Sequence, residues 1–166
     1  MTKSILRKYA KLIVKMGVNI KKGQGAVILA DTAQSEIALM VAEEAYRAGA
    51  KWVDIRWTNQ DLDKMRYKKE SVKVLSATQE WEKARMQYEL DELPVRIWID
   101  SDDPDGLKGV NVEKMQKANL ARMKVRKPYR DAMENKYQWT IVAVPSAKWA
   151  KKVFPNDRTS VAVKKL

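Results

Sequence analysis

The carboxylates of residues 100–106, Asp-Ser-Asp-Asp-Pro-Asp-Gly, are the densest group of potential metal ligands in the chain. Carboxylate oxygens suit calcium, and an EF-hand loop ends on a bidentate glutamate at its twelfth position. With Ser101 as the first position the twelfth is Val112, and Glu113 comes one residue late. Asp-Pro and Asp-Gly are also turn dipeptides. The spacing therefore favours a plain turn over a calcium site.

Histidine and cysteine are both absent. A Ser-His-Asp or Cys-His relay and an ordinary zinc site each need at least one of them. A metal held by this chain alone would need oxygen ligands, which suit calcium, magnesium or manganese. Self-contained hydrolysis is therefore not expected, and we assign no catalytic residue, no metal ligand and no cofactor held by the chain.

Residues 137–155, YQWTIVAVPSAKWAKKVFP, predict a strand, a proline turn and a short helix. Ser146 has the side-chain oxygen that caps a helix, and Trp149 follows inside that helix. Both alternating faces of the strand are apolar, which indicates that both are covered in a parallel sheet. Open α/β sheets place ligand crevices at such junctions. A packing corner without chemistry is the commoner explanation, and both interpretations stay open.

Hydrophobic periodicity divides the rest of the chain into alternating helices and strands. The first helix carries its apolar stripe at Ile5, Tyr9, Leu12, Ile13 and Met16, which we expect to be buried. The other predicted strands are residues 26–30, 52–57 and 95–100, and the other helices follow Ser35, Asp61, Glu80, Val112 and Ser146. The helix from Val112 is expected to kink or break before Pro128.

Strands that alternate with helices imply right-handed crossovers and a mostly parallel sheet. The predicted fold is therefore α/β, with about four strands and helices on both faces in a three-layer sandwich. Gly23-Gln24-Gly25 precedes the first strand, whereas a phosphate-binding glycine loop follows a strand and opens a helix. A dinucleotide-binding fingerprint is excluded, and the glycines are expected to form a turn.

Net charge is +12, and the positive charge is concentrated in three segments. Residues 1–24 hold seven Lys or Arg and no acid, residues 108–137 hold nine against three, and residues 146–166 hold six against one. No base-stacking pattern interrupts these segments, so solvated helix faces explain them better than a nucleic-acid surface. No apolar run reaches the length of a membrane span and no signal peptide begins the chain, so we expect a cytoplasmic protein without membrane contact.

Several segments, taken in order, resemble the N-terminal part of the aminopeptidase T and aminopeptidase S group of metallo-aminopeptidases. They are residues 9–14 (YAKLIV), 42–51 (AEEAYRAGAK), 66–67 (RY), 103–110 (DPDGLKGV) and 139–155 (WTIVAVPSAKWAKKVFP). The last two are the most specific. The resemblance implies a homodimeric exopeptidase that removes N-terminal residues from peptides with two divalent metal ions, which are zinc, cobalt, magnesium or manganese.

The same resemblance places the family's metal ligands and catalytic tyrosine in a second half that this sequence lacks, so none can be carried over. We expect residues 1–155 to form the N-terminal α/β domain and residues 156–166 to begin a helix that leads to a missing C-terminal catalytic domain. The chain alone is then expected to be inactive. Loops after the strands are the candidates for lining a substrate cleft, around Arg66, Asp103, Ser146 and Trp149.

Two alternatives stay open. One is a stand-alone basic module that binds nucleic acid or another acidic partner, which predicts a steep dependence of binding on salt. The other is an inactive relative that serves as a subunit for a full-length partner.

Overall fold

A computed structural model describes residues 2–166, which form helices and strands in the alternation that the sequence predicts. The strands are β1 (Gly25–Asp31), β2 (Trp52–Thr58), β3 (Val95–Asp100) and β4 (Trp139–Ala143). The helices are α1 (Lys3–Leu12), α2 (Ser35–Arg47), α3 (Gln60–Lys69), α4 (Val72–Ser76), α5 (Glu80–Glu92), α6 (Val112–Met133), α7 (Ala147–Val153) and α8 (Thr159–Lys165). Helix α1 continues into a π-helical turn, Ile13–Gly17, and a 3₁₀ turn, Thr32–Gln34, precedes α2.

The four strands pair in the order β2-β1-β3-β4, and every pairing is parallel. Ile28 of β1 lies opposite Ile55 of β2 and Ile97 of β3, which sets the register across the centre of the sheet. These observations confirm the predicted α/β class and the parallel sheet of four strands. The alternation of Val53 and Ile55 with Asp54 and Arg56 predicts that β2 is an edge strand wet on one face, and β2 does lie at one edge of the sheet.

The main hydrophobic core lies between the sheet and helices α1 and α2. Ile28 and Ile97 are fully buried there, and Val53 and Ile55 of the edge strand pack against the same cluster. Helix α2 contributes its inner residues, Ile37 and Val41, to this core. Burial of branched apolar side chains on neighbouring parallel strands is the main stabilising contribution to this part of the fold.

The predicted buried stripe of α1 is wrong in part. Ile13 is buried as expected, but Ile5, Leu12 and Met16 are exposed, and Ala10 takes their place in the core. Helical spacing shows which residues share a side of a helix, but it does not show which side the core covers. In α1 the apolar side is wider than the surface that the sheet and α2 cover.

The prediction that both faces of β4 are covered is also wrong. Trp139 is 58% exposed and Ile141 is 61% exposed, whereas Val142 packs against the core on the other face. Strand β4 is the edge of the sheet next to β3. Side chains of a strand point to the two faces of the sheet, and their burial depends on what packs over each face, so an apolar side chain does not by itself imply a covered face.

The chain divides into two compact units. The first contains residues up to Asn59, Pro94–Pro104 and the residues from Gln138 onward, and it holds the whole sheet. The second contains Gln60–Leu93 and Asp105–Tyr137 and is entirely helical in its regular structure. In the first unit, α8 packs against α7 with Ala162 fully buried. The predicted domain boundary at residue 155 stays a prediction.

A partly buried ion pair joins α5 and α6 in the second unit. The Arg122 guanidinium donates to the Glu82 carboxylate at 2.6 Å and to the Ala77 carbonyl at 2.9 Å. Burial raises the pKa of Glu82, but hydrogen bonds from the Gln79 N–H and Arg122, together with the charges of Arg122 and Arg126, outweigh it, so the pKa lies below its ordinary value. The carboxylate is therefore charged and paired at neutral pH.

Helix α6 runs from Val112 to Met133 with Pro128 inside it, so the helix does not break there, and the alternative expectation of a kink stays a prediction. A proline inside a helix removes one backbone hydrogen bond, which the neighbouring turns of a helix of 22 residues tolerate. Within residues 2–166, no helix combines the length and the apolar character that crossing a membrane would require.

Candidate functional site

A crevice of about 280 Å³ opens at the carboxyl end of the sheet in the first unit. Its lining comes from all four strands and the loop after β3: Leu29, Ala30, Thr58, Trp98, Ile99, Asp100, Asp102 and Ile141. After β1 the chain forms β2 on one side of β1, and it then crosses back to form β3 on the other side. The topological switch point therefore lies between β1 and β3. Open parallel sheets bind ligands at this place.

Parallel strands bring the polar residues of this crevice together, because their carboxyl ends meet at one edge. Thr58 ends β2 and Asp100 ends β3. The Asp100 carboxylate accepts a hydrogen bond from the Asp102 N–H at 3.4 Å, which keeps the loop folded back over the strand end. The crevice thus combines a hydroxyl and carboxylates, a set suited to contacting a polar or cationic group.

One wall of the crevice is apolar. Trp98 and Ile141 lie on neighbouring strands, opposite each other in the register. The Trp98 ring also packs edge-to-face against Trp139, with ring centroids 6.5 Å apart and planes at 83°. Rigid aromatic packing of this kind holds the wall in place.

Ser146 and Trp149 lie together at the start of α7. The Ser146 Oγ accepts a hydrogen bond from the Trp149 N–H at 3.2 Å, so Ser146 is the predicted N-cap of this helix. Asp103 lies in the loop after β3, one residue beyond Asp102. These residues follow neighbouring strands of the sheet, but none of the three is among the residues that line the crevice.

Arg66 belongs to the second unit. It lies on the exposed surface of α3, where its guanidinium pairs with the Glu70 carboxylate at 2.9 Å, four residues along the helix. The Glu70 hydrogen bond raises the pKa of Arg66, so its charge is fixed at every ordinary pH. An exposed ion pair at this spacing stabilises a helix by a few tenths of a kcal/mol at most. The Arg66–Glu70 pair is therefore explained as an ordinary surface pair and does not indicate a functional site.

Among the polar and aromatic crevice residues, Thr58 and Trp98 were not predicted as site candidates, whereas Asp100 and Asp102 belong to the carboxylate loop singled out in the sequence. Their common signal is position: Thr58 and Asp100 end strands, Asp102 follows one, and Trp98 lies two residues before the end of β3. That signal becomes useful only with the strand order, which identifies the pair of strands that flank the switch point. Nowhere in residues 2–166 do three or more Asp, Glu, His or Cys side chains converge in a group able to hold a metal ion.

Comparison with known proteins assigns this sheet and its loops to a family. The family model described as thermophilic metalloprotease (M29) matches residues 2–166. Aminopeptidase PepS of Streptococcus thermophilus is 34% identical over 155 residues, which are 93% of this chain and 38% of that protein. Aminopeptidase T of Thermus thermophilus is 30% identical over 162 residues, which are 97% of this chain and 40% of that protein.

A solved structure agrees with these sequence matches. Wild-type AmpT from Thermus thermophilus superposes with a TM-score of 0.87 at 30% identity, over 99% of this chain and 42% of that one. The chain thus spans about two fifths of the length of the relatives that it matches. A shared fold at this identity, with a family match along residues 2–166, shows that the chain belongs to the thermophilic metalloprotease (M29) family.

Proposed function

We propose that this chain forms the N-terminal α/β part of an aminopeptidase that removes N-terminal residues from peptides. The observation that carries the proposal is the extent of the match: nearly all of this chain aligns with about two fifths of proteins named aminopeptidases. A chain that matched only a generic α/β fold would not align with one family along its whole length. The remaining three fifths of the relatives then correspond to parts of the enzyme that these residues do not supply.

Membership in a metalloprotease family implies divalent metal, and the residues of this chain do not fit a pair of metal ions. Such sites take imidazole, carboxylate or thiolate donors, and the sequence contains no histidine and no cysteine. Among residues 2–166, the carboxylates form no group of three that could enclose a metal. We therefore infer that the two metal ions, zinc, cobalt, magnesium or manganese, bind outside these residues and that the chain alone is inactive.

The role of this chain is then structural, and the part of it nearest to the reaction is a wall of the substrate cleft. Asp103 and Ser146 follow β3 and β4 at the carboxyl edge of the sheet, and Trp149 lies one helical turn beyond Ser146. These residues, and Arg66 on α3, stay predictions as cleft-lining side chains. A homodimer, a cytoplasmic location and a peptide substrate are likewise expectations that come with the aminopeptidase assignment.

The coding DNA beyond codon 166 tests the proposal. We expect an open frame that encodes a segment rich in histidine and glutamate and similar to the rest of the relatives. The longer product should hydrolyse a leucyl chromogenic substrate when cobalt, zinc or magnesium is added, and the 166-residue chain should not. A stop codon with nothing homologous after it would contradict the proposal, as would metal-dependent turnover by the 166-residue chain itself.

A further inference from the structure

Helix α1 and the π-helical turn after it carry an apolar stripe that the folded first unit leaves largely exposed, although Tyr9 packs partly against the core. Tyr9, Leu12 and Met16 follow Ile5 by four, seven and eleven residues, so the four side chains share one side of the helix. Leu12 is 54% exposed and Met16 is 75% exposed. Single exposed apolar residues are ordinary on protein surfaces, but a continuous stripe at helical spacing marks an interaction surface.

Three residues of this stripe, Ile5, Tyr9 and Leu12, line a groove of about 890 Å³ in the first unit, and Met16 lies outside it. Pro145 also lines the groove, as do Val163 and Leu166 at the end of α8. The Tyr9 hydroxyl donates to the Ala143 carbonyl at 3.3 Å, which ties α1 to the end of β4. Where apolar side chains of two helices line a common groove, the side-chain ridges of a third helix can pack into that groove. The docking groove, as we call it, is therefore shaped for a helix.

Two lysines give the docking groove its charge. Lys8 and Lys164 both line it, and neither forms an ion pair with a carboxylate of residues 2–166. Two other cations of α1 are paired: Lys3 lies 3.8 Å from Glu36, and Arg7 lies 3.7 Å from Glu43. The groove thus presents apolar side chains together with uncompensated positive charge. An occupant with acidic residues beside its apolar stripe would complement both.

We propose that the docking groove binds an amphipathic α-helix whose apolar stripe is flanked by Asp or Glu, and that this helix comes from the part of the M29 fold that the chain does not cover. The proposed source of this helix rests on the proposed function. That source is the part of the enzyme outside the matched region, which is more than half of the solved relative's chain. From Ile5 to Leu12 the groove-lining part of the stripe spans about 10 Å, which is two turns of a partner helix.

A designed helical peptide tests the chemistry of the docking groove on the 166-residue chain. The probe is a peptide of about sixteen residues with leucines at helical spacing flanked by glutamates, and its twin has lysines in place of the glutamates. Amide resonances recorded during titration should show saturable shifts in α1 and α8 with the glutamate peptide. The affinity should fall about tenfold as NaCl is raised from about 50 mM to about 500 mM, because salt screens the lysine contacts.

Matched variants identify the groove as the binding surface. Leu12→Glu should weaken binding about thirtyfold, because it removes a buried leucine contact and adds like charge. Leu39→Glu is the control, since Leu39 is 55% exposed on α2 and does not line the groove. The double variant K8E/K164E should reverse the preference, so that the lysine peptide binds more tightly than the glutamate peptide.

Three results would overturn the inference: no saturable shift up to about 1 mM peptide, equal affinity for both peptides, or a dimer of the chain that Leu12→Glu dissociates. The dimer would assign the docking groove to a second copy. The outcome is separable from that of the proposed function. Peptide binding with no homologous downstream frame refutes the aminopeptidase assignment and the source of the helix, whereas a homologous frame without peptide binding refutes the docking groove alone.

Discussion

Ile97→Ala is expected to lower the free energy of unfolding by about 3 to 4 kcal/mol. Ile97 is fully buried in β3, between β1 and β4, and its side chain belongs to the core that the sheet shares with α1 and α2. Removing three carbons there loses their transfer free energy and leaves a cavity that rigid strands on both sides cannot close. Urea denaturation followed by circular dichroism would measure the change.

Ile141→Ala is the matched control, because it makes the same substitution on the neighbouring strand. Ile141 is largely exposed, so its truncation should change the free energy of unfolding by no more than about 0.5 kcal/mol. Equal losses for the two variants would mean that the open face of β4 is covered in solution. They would contradict the description of β4 as an edge strand with one uncovered face.

Arg122→Ala is expected to destabilise the second unit by about 2 to 3 kcal/mol. The substitution leaves the Glu82 carboxylate buried without its principal charged partner, and it removes the donor to the Ala77 carbonyl. The loss of stability comes mainly from the buried charge that is left unpaired. Truncating one partner of a partly buried pair therefore lowers stability more than truncating one partner of a surface pair. Urea denaturation at neutral pH measures it.

The pH dependence of this loss follows from the lowered pKa of Glu82. A carboxylate whose pKa is lowered on folding contributes stability above its unfolded pKa, and the contribution disappears as pH falls through its folded pKa. The difference between wild type and Arg122→Ala should therefore shrink in the acidic range below the ordinary pKa of glutamate. Lys117→Ala is the control, since it removes an exposed pair with Glu113 at 2.7 Å and should leave unfolding unchanged at every pH. A loss that is constant with pH would show that Glu82 is not the charge left behind.

Local signals in the sequence predict the strands and caps of this fold well. The alternation of Val53 and Ile55 with polar neighbours predicts an edge strand, and the structure has one there. Ser146 caps α7 as its position after Pro145 suggests. Helix α4 escaped prediction because Val72–Ser76 is too short to show a period, although Ser71 caps it.

What the sequence cannot provide is the identity of the surface that covers an apolar side chain. Leu12 and Ile13 are adjacent and equally apolar, yet only Ile13 is buried. Ile141 and Val142 differ in the same way on β4. Which residue of each pair is buried is decided only by the neighbouring elements that pack against it. The crevice residues Thr58 and Trp98 were missed for a related reason, since the strand order had to be known before their strands could be brought together with the carboxylate loop after β3.

The metal content of the purified 166-residue chain shows whether these residues hold a metal ion. We propose that they supply a scaffold and no metal site, because the chain has no imidazole and no thiolate and its carboxylates in residues 2–166 do not converge. After incubation with zinc, cobalt, magnesium or manganese and desalting, elemental analysis should find no stoichiometric metal, with aminopeptidase T of Thermus thermophilus treated in parallel for comparison. Two tightly held metal ions per chain, lost when its own carboxylates are replaced by amides, would contradict the account.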